Sequence, residues 1–373
     1  MWSAVRVPEL TVVIEQCLAP VPGGTGRYAR EITTALAAHP PAGWTVRTVA
    51  AWHRNVSPAL IPAANGPHRL PAGRRTLAEL WRRGLPPTVR GTSVHATTPL
   101  APRRARALVV TVHDAVPWTH PETLTTRGVA WHRDIIGRAA QRANAIVVPS
   151  LAVADDLSGI FPAAADRIHV VGHGVTPLPP PTDATQRRNR LGLPERYVLC
   201  VATIEPRKGL DVLVEAMTLP PMRDQHLVVV GPPGWGAVDI GQVASAAGLS
   251  PDRVQVTGHL PDLDLAAVLT GAAVLAAPSR SEGFGLPVLE AMAAGVPVVV
   301  SDAPALVELA GSAALVVARE DPRALAAALA HLLTDESAAH ELAGRGTRRS
   351  RDFSWRAAAD RLWELHAGSG PGR

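Results

Sequence analysis

Pro278-Ser-Arg-Ser-Glu-Gly-Phe-Gly-Leu-Pro-Val-Leu-Glu-Ala-Met-Ala-Ala-Gly-Val-Pro-Val-Val-Val-Ser301 runs from a glycine turn through a short helix into a strand. Pro287 suits the first helical position, where the N–H that proline lacks has no partner inside the helix. Gly295 suits the far end, and Val296 to Val300 then reads as a buried strand. A helix that starts near Leu286 puts Glu290 about one turn in, roughly 5 Å along the axis. Glu282 stays in the preceding loop. Gly283 and Gly285 let backbone N–H groups approach an anion at the helix start, where the dipole is positive. The two carboxylates can then face hydroxyls on either side of a bound phosphate, a geometry that suits a sugar nucleotide.

A second loop supports the first. Lys208 is the chain's one lysine, and the other 36 of its 37 basic residues are arginine. It lies in Val201-Ala-Thr-Ile-Glu-Pro-Arg-Lys-Gly209, directly after the apolar run Tyr197 to Val201. Arginine can hold a pair of oxygens bidentately whereas lysine is a compact point charge, so Arg207 and Lys208 are not interchangeable.

Glu282-Gly-Phe-Gly-Leu-Pro-Val-Leu-Glu290 resembles the two-glutamate signature of retaining glycosyltransferases of family 4 (glycosyl transferases group 1). The spacing of the glutamates alone would fit any strand-turn-helix with solvated side chains. Gly-Phe-Gly-Leu-Pro between them and Ala-x-Ala-x-Gly-x-Pro-Val after them set this stretch apart. The resemblance implies an α/β protein of the GT-B fold, two Rossmann-like doubly wound domains facing across a cleft. The loop at Arg207 and Lys208 resembles the family's diphosphate grip, in which these cations neutralise the donor phosphates. The resemblance makes Glu290 a ribose ligand and Glu282 a ligand of the transferred sugar. Gly283, Phe284, Gly285 and Leu286 are donor-binding by the same likeness. Gly258, in Gly258-His-Leu-Pro-Asp262, resembles the segment whose backbone receives the base edge. His259 receives no role, and Gly231-Pro-Pro-Gly234 should lie near the base.

The implied activity is transfer of a hexose, with retention, from a nucleoside diphosphate sugar to a glycan, glycolipid or lipid-linked acceptor. Glu205-Pro-Arg-Lys is common among bacterial mannosyltransferase-like members, so mannose from GDP-mannose is the first assignment. No cofactor and no metal are implied, because basic side chains stand where a Mg²⁺ site would need clustered carboxylates. The rival readings are transfer to a small secondary metabolite, an epimerase on the same fold, and a non-catalytic nucleotide-sugar-binding scaffold.

The length of 373 residues suits two domains, and 47% hydrophobic residues suffice for buried cores. No apolar run reaches the eighteen or so residues that a spanning helix needs. The N-terminus lacks the order of a signal peptide, so a cytoplasmic location is expected. Cys17 and Cys200 lie in expected core strands and read as small buried residues of a reducing compartment. Charge is uneven, with a net of +9 over residues 1–178 and −4 over 179–373. The surplus gathers at Arg74-Arg75, Arg82-Arg83 and Arg103-Arg104-x-Arg106. It reads either as solvated surface or as attachment to an anionic membrane face, and no motif for nucleic acid accompanies it. Leu77 to Leu85 fits a short amphipathic helix with Trp81 facing a membrane, and fits core equally.

Apolar runs alternate with helical stretches throughout, the pattern of parallel doubly wound sheets. Those of the first half are Thr11–Cys17, Thr45–Ala51, Leu108–Val112, Ala145–Val148 and Ile168–Val171. Those of the second are Tyr197–Val201, Leu227–Val230, Val254–Thr257, Ala273–Ala277, Val296–Val300 and Ala314–Val317. The proline-rich stretch Thr176 to Asp183 suits a linker. It sets a first, acceptor-binding domain at 1–178 and a nucleotide-sugar domain at 179–351. Residues 352–373 resemble the family's last helix, which returns to the first domain, and the tail from Gly368 is expected to be disordered.

Gly23-Gly-Thr-Gly-Arg-Tyr-Ala29 matches a dinucleotide fingerprint when read alone. That reading needs an acidic residue after the second strand, and none occurs between Glu31 and Glu79. The resemblance instead sets Gly23 and Gly24 on the acceptor side, with Gly24 also near the donor. His113 and Asp114 close a strand at its carboxyl end, where ligands bind in open α/β sheets. By resemblance His113 faces the transferred sugar as a catalytic residue alongside Arg207, Lys208 and Glu282, and Asp114 lies on the acceptor side. His173 occupies the place of a usual asparagine in an Asn-Gly-Val turn and suits a hinge.

Overall fold

The computed structural model describes residues 7–236 and 238–368. These fall into two compact units. One holds the chain up to Thr119, Thr126–Gly174 and the stretch from Ser354 onward; the other holds His120–Thr125 and Val175–Phe353.

The first unit is a seven-stranded parallel sheet. Its strands are β1 (Glu9–Val13), β2 (Thr45–Ala50), β3 (Asn65–Arg69), β4 (Ser93–Ala96), β5 (Leu108–Thr111), β6 (Ala145–Val148) and β7 (Ile168–Val170). Their order is β3-β2-β1-β4-β5-β6-β7. The second unit is a six-stranded parallel sheet of β8 (Tyr197–Val201), β9 (His226–Val230), β10 (Val254–Gly258), β11 (Val274–Ala277), β12 (Val298–Ser301) and β13 (Leu315–Val317). Its order is β10-β9-β8-β11-β12-β13. Both sheets start in the middle, grow to one edge and then reverse, which is the doubly wound Rossmann order. Central strands such as Leu108–Thr111 and Ala145–Val148 are buried along their whole length. They read as continuous apolar runs because helices cover both faces of a parallel sheet.

Two strands were absent from the sequence reading. β3, Asn-Gly-Pro-His-Arg, is an edge strand, where a proline costs no interior ladder bond. β4, Ser-Val-His-Ala, is fully buried although half of it is polar, so no apolar pattern marks it. β1 also ends at Val13, so Cys17 lies in the 3-10 turn Glu15–Leu18 and not in a strand. Cys17 is nonetheless buried.

The chain passes from the first unit to the second between Gly174 and Val175, ahead of the proline-rich segment that suggested residue 178. Gly174 is packed so tightly that a Cβ there would lie 2.1 Å from Trp355 N. The last helix is Trp355–Gly368, and it groups with the first unit. The tail expected to be disordered begins at Gly368, which instead ends this helix; its residues 369–373 lie outside the described residues. Trp81 does not face outward: it is buried in the first core and donates its indole N–H to Pro87 O at 2.8 Å. The nearby arginines are paired as well, Arg82 with Glu79 at 2.7 Å and Asp134 at 3.4 Å, and Arg83 with Glu79 at 2.7 Å. Among the described residues no helix is long and apolar enough to cross a membrane.

Candidate functional site

In the second unit β8 and β11 are neighbours at the point where the strand order reverses, so the loops after them diverge and leave a crevice at their carboxyl ends. The β8 loop carries Arg207 and Lys208 in the single turn Pro206–Lys208. Gly209 ends that turn with φ 63°, and a Cβ on it would lie 2.2 Å from Pro278 O of the β11 loop. Only glycine lets the two loops meet so closely. Arg280 N donates to Arg207 O at 2.8 Å and fastens them together. The β11 loop then turns at Gly285 (φ 103°) into the helix Leu286–Ala293, with Pro287 in its first turn.

These loops assemble one charged cluster. Lys208 Nζ lies 2.6 Å from Glu282 Oε1 and Arg207 Nη1 lies 3.2 Å from Glu282 Oε2. Ser279 Oγ donates to Glu282 Oε1 at 2.8 Å. Arg207 also donates to Ser281 O at 2.9 Å and, from Nε and Nη2, to Glu205 Oε1 at 3.1 and 2.7 Å. Burial pushes the Glu282 carboxyl up, but the Lys208 and Arg207 charges with the Lys208 and Ser279 hydrogen bonds outweigh it and hold the group at about 2. Glu282 is therefore an anion at neutral pH and no proton donor. Two cations and two carboxylates balance, and both cations are aimed by acidic partners.

Arg207, Lys208, Glu282 and the turn Gly283 to Leu286 are thus brought together. Glu290 sits in the second turn of the helix, about nine-tenths buried. Phe284 and Leu286 are buried too, and the Phe284 ring packs edge-on against Phe353 at 5.8 Å. Gly258 closes β10 and accepts from Gly231 N at 2.9 Å, while Gly234 N donates to Ile204 O at 3.0 Å. The glycine-proline turn after β9 is so held between Gly258 and the β8 loop.

Glu205 and Ser279 received no firm role from the sequence, yet they orient Arg207 and Glu282. The signals for Glu205 are its place two residues before Arg207 and its part in the Glu205-Pro-Arg-Lys run, and neither points to an orienting role. A pocket of about 820 Å³ lies beside this cluster, with Glu205, Asp211, Asp239, Asp302 and Glu320 in its wall. Its arginines are committed, Arg280 to Asp211 at 2.7 Å and Arg319 to Asp302 at 2.8 Å. Size notwithstanding, its charge does not suit a diphosphate.

In the first unit Gly23 and Gly24 open the helix Gly23–Ala38, both exposed, with Gly23 at φ 59°. His113 Nε2 lies 2.8 Å from Thr97 O, and because a carbonyl only accepts, Nε2 carries the proton. Burial pushes His113 down against the contrary pull of the Thr97 bond and Asp114, so the ring is neutral with a bare Nδ1. Asp114 Oδ1 accepts from Val116 N at 3.2 Å. His113 and Asp114 share a pocket wall with Thr25, whereas Gly23 and Gly24 are not in it. His173 is buried against Tyr28 (ring centroids 4.5 Å apart) and Trp355 (5.9 Å).

The sequence reading missed a buried polar chain behind His113. Ser93 Oγ lies 2.7 Å from His366 Nδ1, His366 Nε2 lies 3.1 Å from His95 Nδ1, and His95 Nε2 lies 3.1 Å from Thr111 Oγ1. Thr111 Oγ1 in turn meets Tyr28 OH at 3.0 Å, and the Tyr28 ring packs edge-on to His113 at 4.8 Å. Glu15 was missed as well: buried in the 3-10 turn that follows β1, it accepts from Ala51 N at 2.8 Å and lies 2.9 Å from His53 Nε2. Burial pushes the Cys200 thiol up to about 12 and the Cys17 thiol up to about 11, so neither is a nucleophile. Among the described residues no group of three His, Cys, Asp or Glu side chains is placed to hold a metal ion.

Residues 182–349 match the family described as Glycosyl transferases group 1, and residues 22–177 match Glycosyltransferase Family 4. The chain is 31% identical over 266 residues to O-antigen chain mannosyltransferase B of Escherichia coli, covering 68% of each. It is 36% identical over 237 residues to the D-inositol 3-phosphate glycosyltransferase of Xylanimonas cellulosilytica, covering 60% of this chain and 57% of the relative. It thus spans little more than half the length of that second protein. Among solved structures, HepE of Anabaena in complex with UDP and glucose superposes with a TM-score of 0.74 at 19% identity, over 97% of this chain and all of that one.

Proposed function

This chain belongs to the glycosyltransferases of family 4 and group 1, and from that membership we propose that it moves a hexose from a nucleoside diphosphate sugar with retention at the anomeric carbon. The first candidate donor is GDP-mannose, in keeping with the mannosyltransferase among its relatives. The acceptor in this reading is a glycan, glycolipid or lipid-linked saccharide, and the reaction is cytoplasmic.

The observation that carries the proposal is the meeting of Arg207, Lys208 and Glu282 at the reversal of the second sheet. A diphosphate would take Arg207 bidentately and Lys208 as a point charge. Backbone N–H groups at the start of the helix Leu286–Ala293 would add donors, Pro287 excepted. Together they would stabilise charge that develops on the leaving diphosphate, a term that is large in a water-poor site. Glu282, held anionic, would accept hydroxyls of the transferred sugar and favour cationic character at its anomeric carbon. Glu290 would accept ribose hydroxyls. In this reading the acceptor oxygen would attack on the donor's own face while the leaving phosphate takes its proton. Arg207 and Lys208 supply the positive charge that a metal supplies in other phosphate sites, so metal-independent transfer is part of the proposal.

The test is a thermal-shift screen against GDP, UDP, ADP and dTDP and their common sugars. A ligand at a hundred times its dissociation constant stabilises the folded state by about 2.7 kcal/mol. Stabilisation by one nucleotide, lost in Lys208→Ala, is the expected outcome. No response to any of them would move the scaffold reading ahead.

A further inference from the structure

Arg280 stands two residues before Glu282 in the β11 loop, yet its side chain serves the β8 loop. Its Nη1 donates to Pro206 O at 2.7 Å and to Asp211 Oδ1 at 2.9 Å. Its Nη2 donates to Asp211 Oδ2 at 2.7 Å and its Nε to Glu320 Oε1 at 2.8 Å. Its backbone N–H reaches Arg207 O at 2.8 Å. Pro206 opens the turn that carries Arg207 and Lys208, and Asp211 lies in the first turn of the helix Leu210–Thr218 that follows. One guanidinium thus holds the cation-bearing turn at both ends.

Arginine suits this place for a physical reason. Its planar fork meets a carboxylate with two N–H bonds and still offers an N–H to a carbonyl, whereas an ammonium is a single point. Glu320 reaches Nε from a backbone at φ 58°, a left-handed conformation that costs a residue of its kind roughly 1–3 kcal/mol. Two carboxylates therefore face one guanidinium, and Arg280 has no surplus positive charge with which to draw a diphosphate itself. Its side chain is 21% exposed and lines the pocket of about 820 Å³ together with Pro206, Asp211 and Glu320.

Resting on the donor reading above, we infer that Arg280 is a positioning residue of the diphosphate grip. It acts on the backbone from which Arg207 and Lys208 project, and not on the phosphates.

Chemical rescue in the full chain tests this, with GDP and UDP as probes. Arg280→Ala is expected to weaken the nucleotide that binds by roughly tenfold or more, the scale of losing a hydrogen bond to a charged group. Millimolar guanidinium chloride, entering by the pocket, should restore most of that affinity, and sodium chloride at equal strength should not. Arg280→Lys keeps a charge and should remain impaired. Acylation of Lys208 without nucleotide gives a second readout: it should speed in Arg280→Ala and slow again with guanidinium. Full affinity in Arg280→Ala, a loss that guanidinium leaves untouched, or Arg280→Lys equal to the unsubstituted chain overturns the inference. Should Arg280→Ala fail to fold, Arg280→Lys decides. Nucleotide binding with affinity and Lys208 labelling indifferent to Arg280 defeats this inference alone. Labelling that follows Arg280 and guanidinium in a chain that binds neither nucleotide defeats the donor reading alone.

Discussion

Lys208 and Glu282, 74 residues apart in the chain, meet at 2.6 Å across two loops of one sheet. The carboxylate also holds Arg207, so the two cations that suit a diphosphate are occupied by an internal anion. Both partners are largely buried, Lys208 with 13% and Glu282 with 12% of the side chain exposed. In such surroundings an anion that replaces the carboxylate must release it, and losing one partner leaves the other charge uncompensated.

Glu282→Gln should therefore separate binding from turnover. The amide keeps the shape but removes the shared anion from Lys208 and from Arg207, which stays paired with Glu205, so nucleoside diphosphate is expected to bind more tightly. Turnover should fall by roughly 10²–10³-fold, the scale of losing one preorganised group at a developing charge. Calorimetry of GDP and UDP binding beside steady-state kinetics checks both halves. Weaker nucleotide binding in the variant would contradict the internal-anion account.

The lone lysine offers a chemical probe. An amine-selective acylating reagent has only Lys208 and the α-amino terminus to modify. The ion pair with Glu282 should make Lys208 slow to react, Glu282→Gln should speed it, and a bound nucleoside diphosphate should protect it. Peptide mass spectrometry of timed reactions reads all three. Equal labelling with and without saturating nucleotide would place the phosphates elsewhere.

How much of this was legible beforehand depends on where the information lies. The stretch Glu282 to Glu290 and the loop at Lys208 are local patterns, and each reads without knowledge of what packs on it. Glu205 and Ser279 acquire meaning only when the β8 and β11 loops meet, a long-range pairing that no spacing reveals. β4 was invisible because Ser93 and His95 are polar where a central strand should be apolar, and their partner His366 lies 273 residues from Ser93. Trp81 was undecided because a short amphipathic helix looks alike against a membrane and against a core, and the Pro87 carbonyl that takes its N–H decides for core.

Gly209 is the point at which the two loops depend on each other. Gly209→Ala meets both a left-handed backbone, which costs a side chain of this kind roughly 1–3 kcal/mol, and the Pro278 carbonyl at 2.2 Å. A lower melting temperature with loss of the nucleotide shift is expected. Gly192→Ala, also at positive φ but with open space around it, should lower the melting temperature less and keep the shift. Equal behaviour of the two variants in paired thermal scans would remove the case for a tight loop junction.

The buried histidine chain sets an acid limit on the fold. Burial pushes His95 down from 6.5 to about 3, and pushes His366 well down too, each lowered further by the other or by His113. The unfolded chain takes up protons on these rings below about 6.5 while the folded chain does not, so stability falls as pH falls through that range. For His95 the loss continues to about 3. Each ring kept neutral contributes a slope of about 1.4 kcal/mol per pH unit below its unfolded value. His366→Gln should be less stable at pH 7.5, because it disrupts bonds to Ser93 and His95, yet lose less on acidification to pH 5. Denaturation of both proteins at the two pH values measures the difference in slope. Parallel slopes would mean that His366 is charged in the fold or that its burial is relieved before the chain unfolds.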